Sequence, residues 1–265
     1  MFQKLRKSKK LVLIAMACAT FAIAGCGSDT TKSPADNGKS VTWSETFDGT
    51  KTDFAVKSSP THAVSMSQAT TEMMLQLGLE DKMAGTAFKE EEIYPPLQAA
   101  YDKVKVLSDK WPSYEVFMSV KPDFATGWPD SFSKRAIPAD KMIAQKVNIW
   151  LPESMLSTKA DLETNFNDMI KLGEIFGVKP KAEEWVAGQR KTLEAIQTKL
   201  KDLPRKRVFI YDSEDGQPFT AFEGYTTNIL KLIGADNVMS GLGVDKTWAK
   251  GSWETVIAQN PDYII

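Results

Sequence analysis

The sequence predicts an α/β protein of two similar lobes, each a small, mostly parallel sheet flanked by helices, joined by a long helical spine. Two observations predict the duplication. Residues 113–124 (SYEVFMSVKPDF) and 252–263 (SWETVIAQNPDY) share Ser-aromatic-Glu, six further residues and Pro-Asp-aromatic. Upstream of these, residues 70–85 (TTEMMLQLGLEDKMAG) and 226–241 (TTNILKLIGADNVMSG) match in the same order. Two like lobes leave a cleft between them, and clefts bind ligands.

The first 25 residues have the features of a secretory signal. Positions 1–10 hold five basic residues and no acid, apolar or small residues cover 11–25, and Cys26 follows. The apolar stretch is too short to span a bilayer, which needs about 20 residues. Removal of the signal with its five basic residues leaves 28 basic against 34 acidic residues, a net charge of −6. This balance, without a basic block, argues against nucleic acid as a partner.

Residues 26–40 are small or polar and are predicted to form a flexible tether. The two cysteines are Cys18, inside the signal, and Cys26. The folded part therefore offers no thiol nucleophile and no thiolate metal ligand. Its single histidine, His62, cannot by itself build a site for a bare zinc or manganese ion, so no metal site is predicted.

The first lobe is assigned to residues 41–156. Alternating residues around Asp48-Gly49 predict a hairpin over 41–56. Helices are predicted over 70–77, 90–101 (interrupted at Pro95-Pro96) and from Ser113 onward, and strands over 63–66, 82–86, 104–107 and 124–126. Because strands and helices alternate, we expect a parallel sheet.

The spine is assigned to residues 157–203. Its apolar periodicity predicts one helix over 161–176 and another over 182–203. Gly177 is expected to end the first helix, and Pro180 to enforce the stop. A helical connection of this kind favours modest closure on a ligand.

The second lobe is assigned to residues 204–265 and repeats the plan of the first. A strand is predicted over 207–211, a helix over 226–233, and a further helix begins after Ser252. The chain stops shortly after its second Pro-Asp element, whereas the first lobe continues well past the first one. The second lobe is therefore expected to be incomplete at residue 265.

The combined motifs resemble the substrate-binding lipoproteins of ABC importers, in the branch that takes up ferric siderophores, cobalamin and haem. The similar region runs from about residue 54 to 265 and includes 62–87, 113–124, 207–238 and 252–265. The string Ile23-Ala24-Gly25-Cys26 resembles a bacterial lipobox, which implies cleavage before Cys26 and lipid attachment there. The resemblance implies a monomeric, extracytoplasmic, lipid-anchored protein without a resident cofactor.

In the family that this chain resembles, one surface glutamate per lobe contacts basic pockets of the permease's transmembrane subunits. The matching positions here are Glu115 and Glu254. Two carboxylates at helix starts, one per lobe, can steer and register a docking partner. The alternative is that each glutamate only stabilises the start of its own helix.

The ligand is expected between the lobes, at loops that follow strand ends. Aromatic faces hold large, rigid chelates with little loss of entropy. The candidate contacts are Ser67, Gln68, Trp111, Trp128 and Trp150 from the first lobe, and Tyr211, Asp212, Phe219 and Trp248 from the second. For each aromatic residue, the alternative is an ordinary place in the core.

A ferric siderophore is the predicted ligand, and cobalamin or haem is the alternative within the same class. The lone histidine disfavours haem held through histidine, although a Met or Tyr ligand stays open. An enzyme is not predicted, because the folded part lacks a thiol, a Gly-x-Ser-x-Gly motif and an evident partner for its histidine, although a carboxylate-pair glycosidase stays open. A third possibility is a surface lipoprotein that acts as an adhesin or a sensor.

Overall fold

A computed structural model describes residues 40–265 of the chain. The predicted signal, Cys26 and nearly all of the predicted tether lie outside these residues. In the described part, no helix has the length and apolar character needed to cross a membrane.

A β-hairpin opens the described structure, as the sequence predicts. Strand β1 (Val41–Phe47) pairs antiparallel with β2 (Thr50–Val56). Both turn residues, Asp48 and Gly49, have positive φ angles of 48° and 79°, as a two-residue turn of this kind requires. The hairpin is fixed to the first lobe because the indole Nε1 of Trp43 donates to the carbonyl of Ile149 at 2.8 Å.

The first lobe contains a five-stranded, wholly parallel sheet. Its strands are β3 (Ala63–Met66), β4 (Met83–Ala87), β5 (Val106–Ser108), β6 (Phe124–Gly127) and β7 (Asn148–Trp150). Its helices are α1 (Gln68–Gln76), α2 (Gln98–Tyr101), α3 (Tyr114–Ser119) and α4 (Ala139–Ala144). The strand order is β5-β4-β3-β6-β7, so the order reverses between β3 and β6.

The sheet of the first lobe has an apolar core on each face. On one face Phe124 packs with Leu172 and other residues of the spine. On the other face Phe54 of the hairpin packs with Phe117. The second lobe has two smaller apolar cores of its own.

The spine consists of two helices, α5 (Leu162–Ile175) and α6 (Lys179–Leu200). Asp161 begins α5 with a capping box shared with Thr164. The expectation for the start of α6 was wrong, because Pro180 lies inside its first turn rather than before it. A proline fits there because the first-turn N–H groups have no partner within the helix.

The second lobe combines a parallel and an antiparallel sheet. Its strands are β8 (Lys206–Phe209), β9 (Ser213–Glu214), β10 (Pro218–Ala221), β11 (Ala235–Asn237), β12 (Trp248–Lys250) and β13 (Tyr263–Ile264). Its helices are α7 (Tyr225–Leu232) and α8 (Trp253–Gln259). The parallel sheet has the order β11-β8-β13, and the antiparallel sheet has the order β12-β10-β9.

The two lobes share one topology. In the first, β3 lies between β4 and β6; in the second, β8 lies between β11 and β13. Helix α1 follows β3 directly, and α7 follows β8 after the inserted strands β9 and β10; Gly78 and Gly234 follow these helices with φ angles of 64° and 79°. The α/β architecture of two similar lobes with a helical spine is therefore confirmed.

The repeated Pro-Asp element joins strands in both lobes. Asp123 N donates to the carbonyl of His62, and Asp262 N donates to the carbonyl of Arg207. In return, each carboxylate accepts from the same residue: His62 N donates to Asp123 Oδ1 at 3.0 Å, and Arg207 N donates to Asp262 Oδ2 at 2.9 Å. We call this reciprocal pair of bonds the strand latch. It ties the start of the central strand to the strand that follows the Pro-Asp element.

One predicted helix does not form. Residues 88–94 are irregular, and only a 3₁₀ turn over Pro95–Leu97 and the four-residue α2 follow. Prolines at 95 and 96 supply no N–H groups to a helix. In addition, the Gln68 side chain takes the N–H groups of Glu90 and Glu91, so the segment is held as a loop.

Candidate functional site

The reversal of strand order in the first lobe lies at the carboxyl ends of β3 and β6. Ligands of open parallel sheets bind at this kind of switch point. Five residues follow the carboxyl ends of the neighbouring strands there. We call them the first-lobe rim: Gln68, Phe88, Glu90, Trp111 and Trp128.

Gln68 anchors the loop that follows β4. Its Oε1 accepts hydrogen bonds from the N–H groups of Glu90 at 2.9 Å and Glu91 at 2.7 Å. Its Nε2 donates to Glu72 Oε1 and to the carbonyl of Glu92. Because both its amide oxygen and its amide nitrogen are hydrogen-bonded, Gln68 positions the loop that follows β4.

Trp128 follows β6 directly and is partly exposed. Its indole Nε1 donates to Glu90 Oε2 at 3.1 Å. This bond brings together the loops after β4 and β6, which are distant in sequence. Trp128 therefore stands at the switch point with a fixed orientation.

Trp111 forms an aromatic pair with a residue that the sequence analysis missed. Its indole Nε1 donates to the carbonyl of Met66 at 3.1 Å, and its ring stacks on Phe88 with centroids 4.6 Å apart. The ammonium of Lys110 lies 5.1 Å from the Phe88 ring centroid. Phe88 has a φ of 59°, which is uncommon for a residue with a large side chain. Its position two residues after the strand predicted over 82–86 was the available signal.

Ser67 does not reach the rim surface. It is fully buried and caps α1, where its hydroxyl accepts from Thr70 N at 3.2 Å. Its hydroxyl also lies 2.8 Å from Thr70 Oγ1, within a buried network that includes Ser65, Thr71 and Thr86. Ser67 is thus a helix cap rather than an available ligand contact.

Trp150 is a core residue rather than a ligand contact. Its side chain is 3% exposed and packs in the apolar core between the sheet and the spine. It lies in β7, opposite Thr126 of β6. Trp150 was named as a ligand contact because it lies near the end of the first lobe, but its side chain is buried in the core.

The second lobe presents its own predicted set after β8 and along β10 and β12. We call it the second-lobe rim: Tyr211, Asp212, Phe219 and Trp248. Tyr211 is 40% exposed and stacks on Trp253 with centroids 6.1 Å apart. Asp212 is exposed, and its Oδ2 accepts from the hydroxyl of Ser213 at 2.8 Å.

Phe219 and Trp248 lie on adjacent antiparallel strands and stack with centroids 6.1 Å apart and an interplanar angle of 18°. Trp248 remains 37% exposed. Among the described residues, no hydrogen bond or ion pair joins the first-lobe rim to the second-lobe rim. Each rim is therefore held by its own lobe.

Two cavities of the described structure lie away from both rims. One of about 300 Å³ lies among α5, α6 and α7, and its lining includes Trp185 and Tyr225. The other, of about 290 Å³, lies near the amino-terminal edge of the first-lobe sheet, beside Asp123. Neither contains a predicted ligand contact, so the ligand site rests on topology and side-chain chemistry. Over residues 40–265 there is no cluster of side chains that could hold a metal ion.

Glu115 and Glu254 occupy matched positions. Each is exposed and is the second residue of its helix, after a capping serine. Ser113 Oγ accepts from the third helical N–H at 3.3 Å, and Ser252 Oγ does so at 3.1 Å. The backbone N–H of Glu115, and then the Ser113 hydroxyl, lower the pKa of the Glu115 carboxyl.

A repeated lobe, a helical spine and a rim of aromatic side chains on each lobe define a two-lobed binding protein. The periplasmic binding protein family matches residues 64–265, so the chain belongs to that family. A crystal structure of a periplasmic binding protein from Veillonella parvula is 96% identical, with a TM-score of 0.84 over 86% of this chain and 77% of that one.

More distant relatives agree with this assignment. An uncharacterized ABC transporter substrate-binding lipoprotein of Bacillus subtilis is 27% identical over 98% of this chain and 81% of its own length. A vitamin B12-binding protein of Vibrio vulnificus is 24% identical over 75% of this chain and 68% of its own length. An ABC-type Fe3+-hydroxamate transport protein of Saccharomonospora viridis shares the fold, with 19% identity and a TM-score of 0.67 over 84% of this chain and 78% of that one.

The chain is therefore a substrate-binding protein of the ABC transporter type, from a family that works outside the cytoplasm. Its relatives are solute-binding proteins rather than enzymes.

Proposed function

We propose that this protein captures a chelated metal, foremost a ferric siderophore, between its two lobes and delivers it to an ABC permease. The observation that carries the proposal is the aromatic rim at the switch point of the first-lobe sheet, in a chain of the binding-protein family. Trp111 and Trp128 are both held there by their indole N–H groups. Rigid aromatic faces suit a large, rigid ligand because little side-chain entropy is lost on binding.

Cobalamin is the second candidate. The observation that favours it is the similarity to the vitamin B12-binding protein of Vibrio vulnificus. Haem belongs to the same proposed class, with the lone histidine, His62, exposed at a position before β3 that does not belong to either rim. A resident cofactor is not part of the proposal; the metal arrives as cargo.

Delivery requires a docking surface and a place at the membrane. For docking, the support is the matched exposure of Glu115 and Glu254 on helices of like position. For anchoring, the support is the lipobox-like string that ends at Cys26, together with a lipoprotein among the relatives. The protein is proposed to act as a monomer, tethered to a bacterial membrane by lipid on Cys26.

The test is a tryptophan fluorescence titration of the mature protein with a ferric trihydroxamate, a ferric tricatecholate, cyanocobalamin and haem. We expect saturable quenching by at least one of them at micromolar concentration or below. In a Trp128→Phe variant the quenching amplitude should fall, whereas Trp185→Phe, on α6 and away from both rims, should retain it. A flat response to all four ligands would refute the proposed ligand class.

A further inference from the structure

We propose that Glu90 sets the charge selectivity of the ligand site, so that the protein takes neutral or cationic metal chelates with hydrogen-bond donors and disfavours anionic ones. This inference rests on the proposed function and names the ligand class of the same site.

The carboxylate of Glu90 is fixed in place by neutral groups. Its backbone N–H is held by Gln68 Oε1 at 2.9 Å, and its Oε2 accepts from the indole of Trp128 at 3.1 Å. Gln68 also holds the next residue of the loop through Glu91 N. The side chain therefore has a defined position at the switch point before any ligand arrives.

The negative charge of Glu90 has no cationic partner in the part of the chain that the structure describes. The ion pairs of residues 40–265 do not include it, and Oε1 accepts no hydrogen bond there. Two nearby cations on the loops of this edge have other contacts: Lys110 lies over the Phe88 ring, and Arg135 pairs with Asp130. An indole N–H orients a carboxylate but leaves its charge intact.

The second-lobe rim carries a charge of the same sign. Asp212 is exposed and bonded to the neutral hydroxyl of Ser213, and it has no ion-pair partner among the described residues. The two rims thus offer one carboxylate each that makes no ion pair among the described residues. A ligand ammonium or amide N–H would gain a charge-assisted hydrogen bond, whereas a catecholate or propionate would meet like charge.

The test compares two ferric chelates of opposite charge in the same fluorescence titration. One is a trihydroxamate with a free ammonium group, and the other is a tricatecholate. We expect the unaltered protein to prefer the trihydroxamate, and Glu90→Gln to reduce this preference about tenfold, because a hydrogen bond to a charged group contributes roughly 1.5 kcal/mol. Gln keeps an acceptor for the Trp128 indole, so the loop should hold its conformation.

Two further variants sharpen the result. Glu91→Gln removes a neighbouring charge whose side chain makes no hydrogen bond in the described structure, and it should leave the preference within about twofold of the unaltered protein. Glu90→Lys should reverse the preference. Tighter binding of the tricatecholate by the unaltered protein, or equal effects of Glu90→Gln and Glu91→Gln, would overturn the charge assignment while leaving the proposed function intact. Failure of every chelate to bind would overturn both.

Discussion

Glu45 is a buried carboxyl group in β1 whose titration should control stability between about pH 4.5 and 7. It is 8% exposed, and its Oε1 accepts from Leu151 N at 3.0 Å. Burial raises the pKa of Glu45 to about 7, the Leu151 N–H opposes this rise, and the charge of Asp168 adds to it. Burial likewise raises the pKa of Asp168, although the N–H groups of Glu153 and Ser154 donate to its carboxylate.

The sign of the effect follows from which state holds the proton more tightly. From the ordinary glutamate pKa of 4.5 upward, the unfolded chain loses the Glu45 proton while the folded protein keeps it until about pH 7. The free energy of unfolding therefore falls as the pH rises through this window. A difference of roughly 2.5 pKa units corresponds to about 3 kcal/mol, the stability that the folded protein loses between the two values.

The perturbation is Glu45→Gln, which removes the charge and keeps an acceptor for Leu151 N. Urea unfolding at a series of pH values from 4.5 to 8.5 would measure the free energy of unfolding of both proteins. Groups common to the two proteins cancel in the difference. Between pH 5 and 8, we expect the free energy of unfolding of the variant, relative to that of the unaltered protein, to rise by about 2–3 kcal/mol.

A second variant separates charge from hydrogen bonding. Glu45→Met should show the same flattened pH profile as Glu45→Gln. Its free energy of unfolding should be lower than that of Glu45→Gln at every pH, because Leu151 N would be buried without a partner. If the profiles of the unaltered protein and Glu45→Gln run parallel across the whole range, the buried carboxyl group is not the source of the pH dependence and the reasoning fails.

Three other predictions test the docking, the strand latch and the anchor. Glu115→Ala with Glu254→Ala should leave chelate affinity unchanged and reduce uptake at least tenfold in cells; normal uptake would exclude a docking role. Asp123→Ala should lower the free energy of unfolding by about 2–4 kcal/mol in urea, since it strips partners from the N–H groups at the start of β3, and an unchanged midpoint would contradict the strand latch. Cys26→Ser should move the protein from the membrane fraction to the soluble fraction, and retention on membranes would disprove lipid attachment.

Most of the fold could be predicted from the sequence because its signals are local. Ser113 and Ser252 cap their helices, and Asp48-Gly49 forms the hairpin turn, because each acts on residues within a few positions of itself. The repeat could be detected in the sequence for the same reason. Its two copies preserve a serine cap, a glutamate in the first helical turn and a Pro-Asp pair at fixed spacing.

The candidate site was harder to predict from the sequence because its contacts join residues that are far apart in the chain. Whether Trp150 faces the core or the ligand depends on which side of β7 points toward the spine, and a three-residue strand has no alternation that decides this. Trp128 meets Glu90 only because the reversal of strand order places β6 beside β3. Phe88 was overlooked because it lies between the predicted strand over 82–86 and the predicted helix over 90–101, and its contact with Trp111 joins the loops after two different strands.

The strand latch has a consequence for how the chain reaches its native state. In each lobe the central strand of the parallel sheet is synthesised before the neighbouring strand to which the latch ties it. Ala63 pairs with Phe124, and Val208 pairs with Tyr263. Loop closure opposes such distant pairings, and proteins that depend on them fold slowly. A polypeptide destined for export has to stay threadable until it has crossed the membrane, and we expect delayed sheet closure to keep it so.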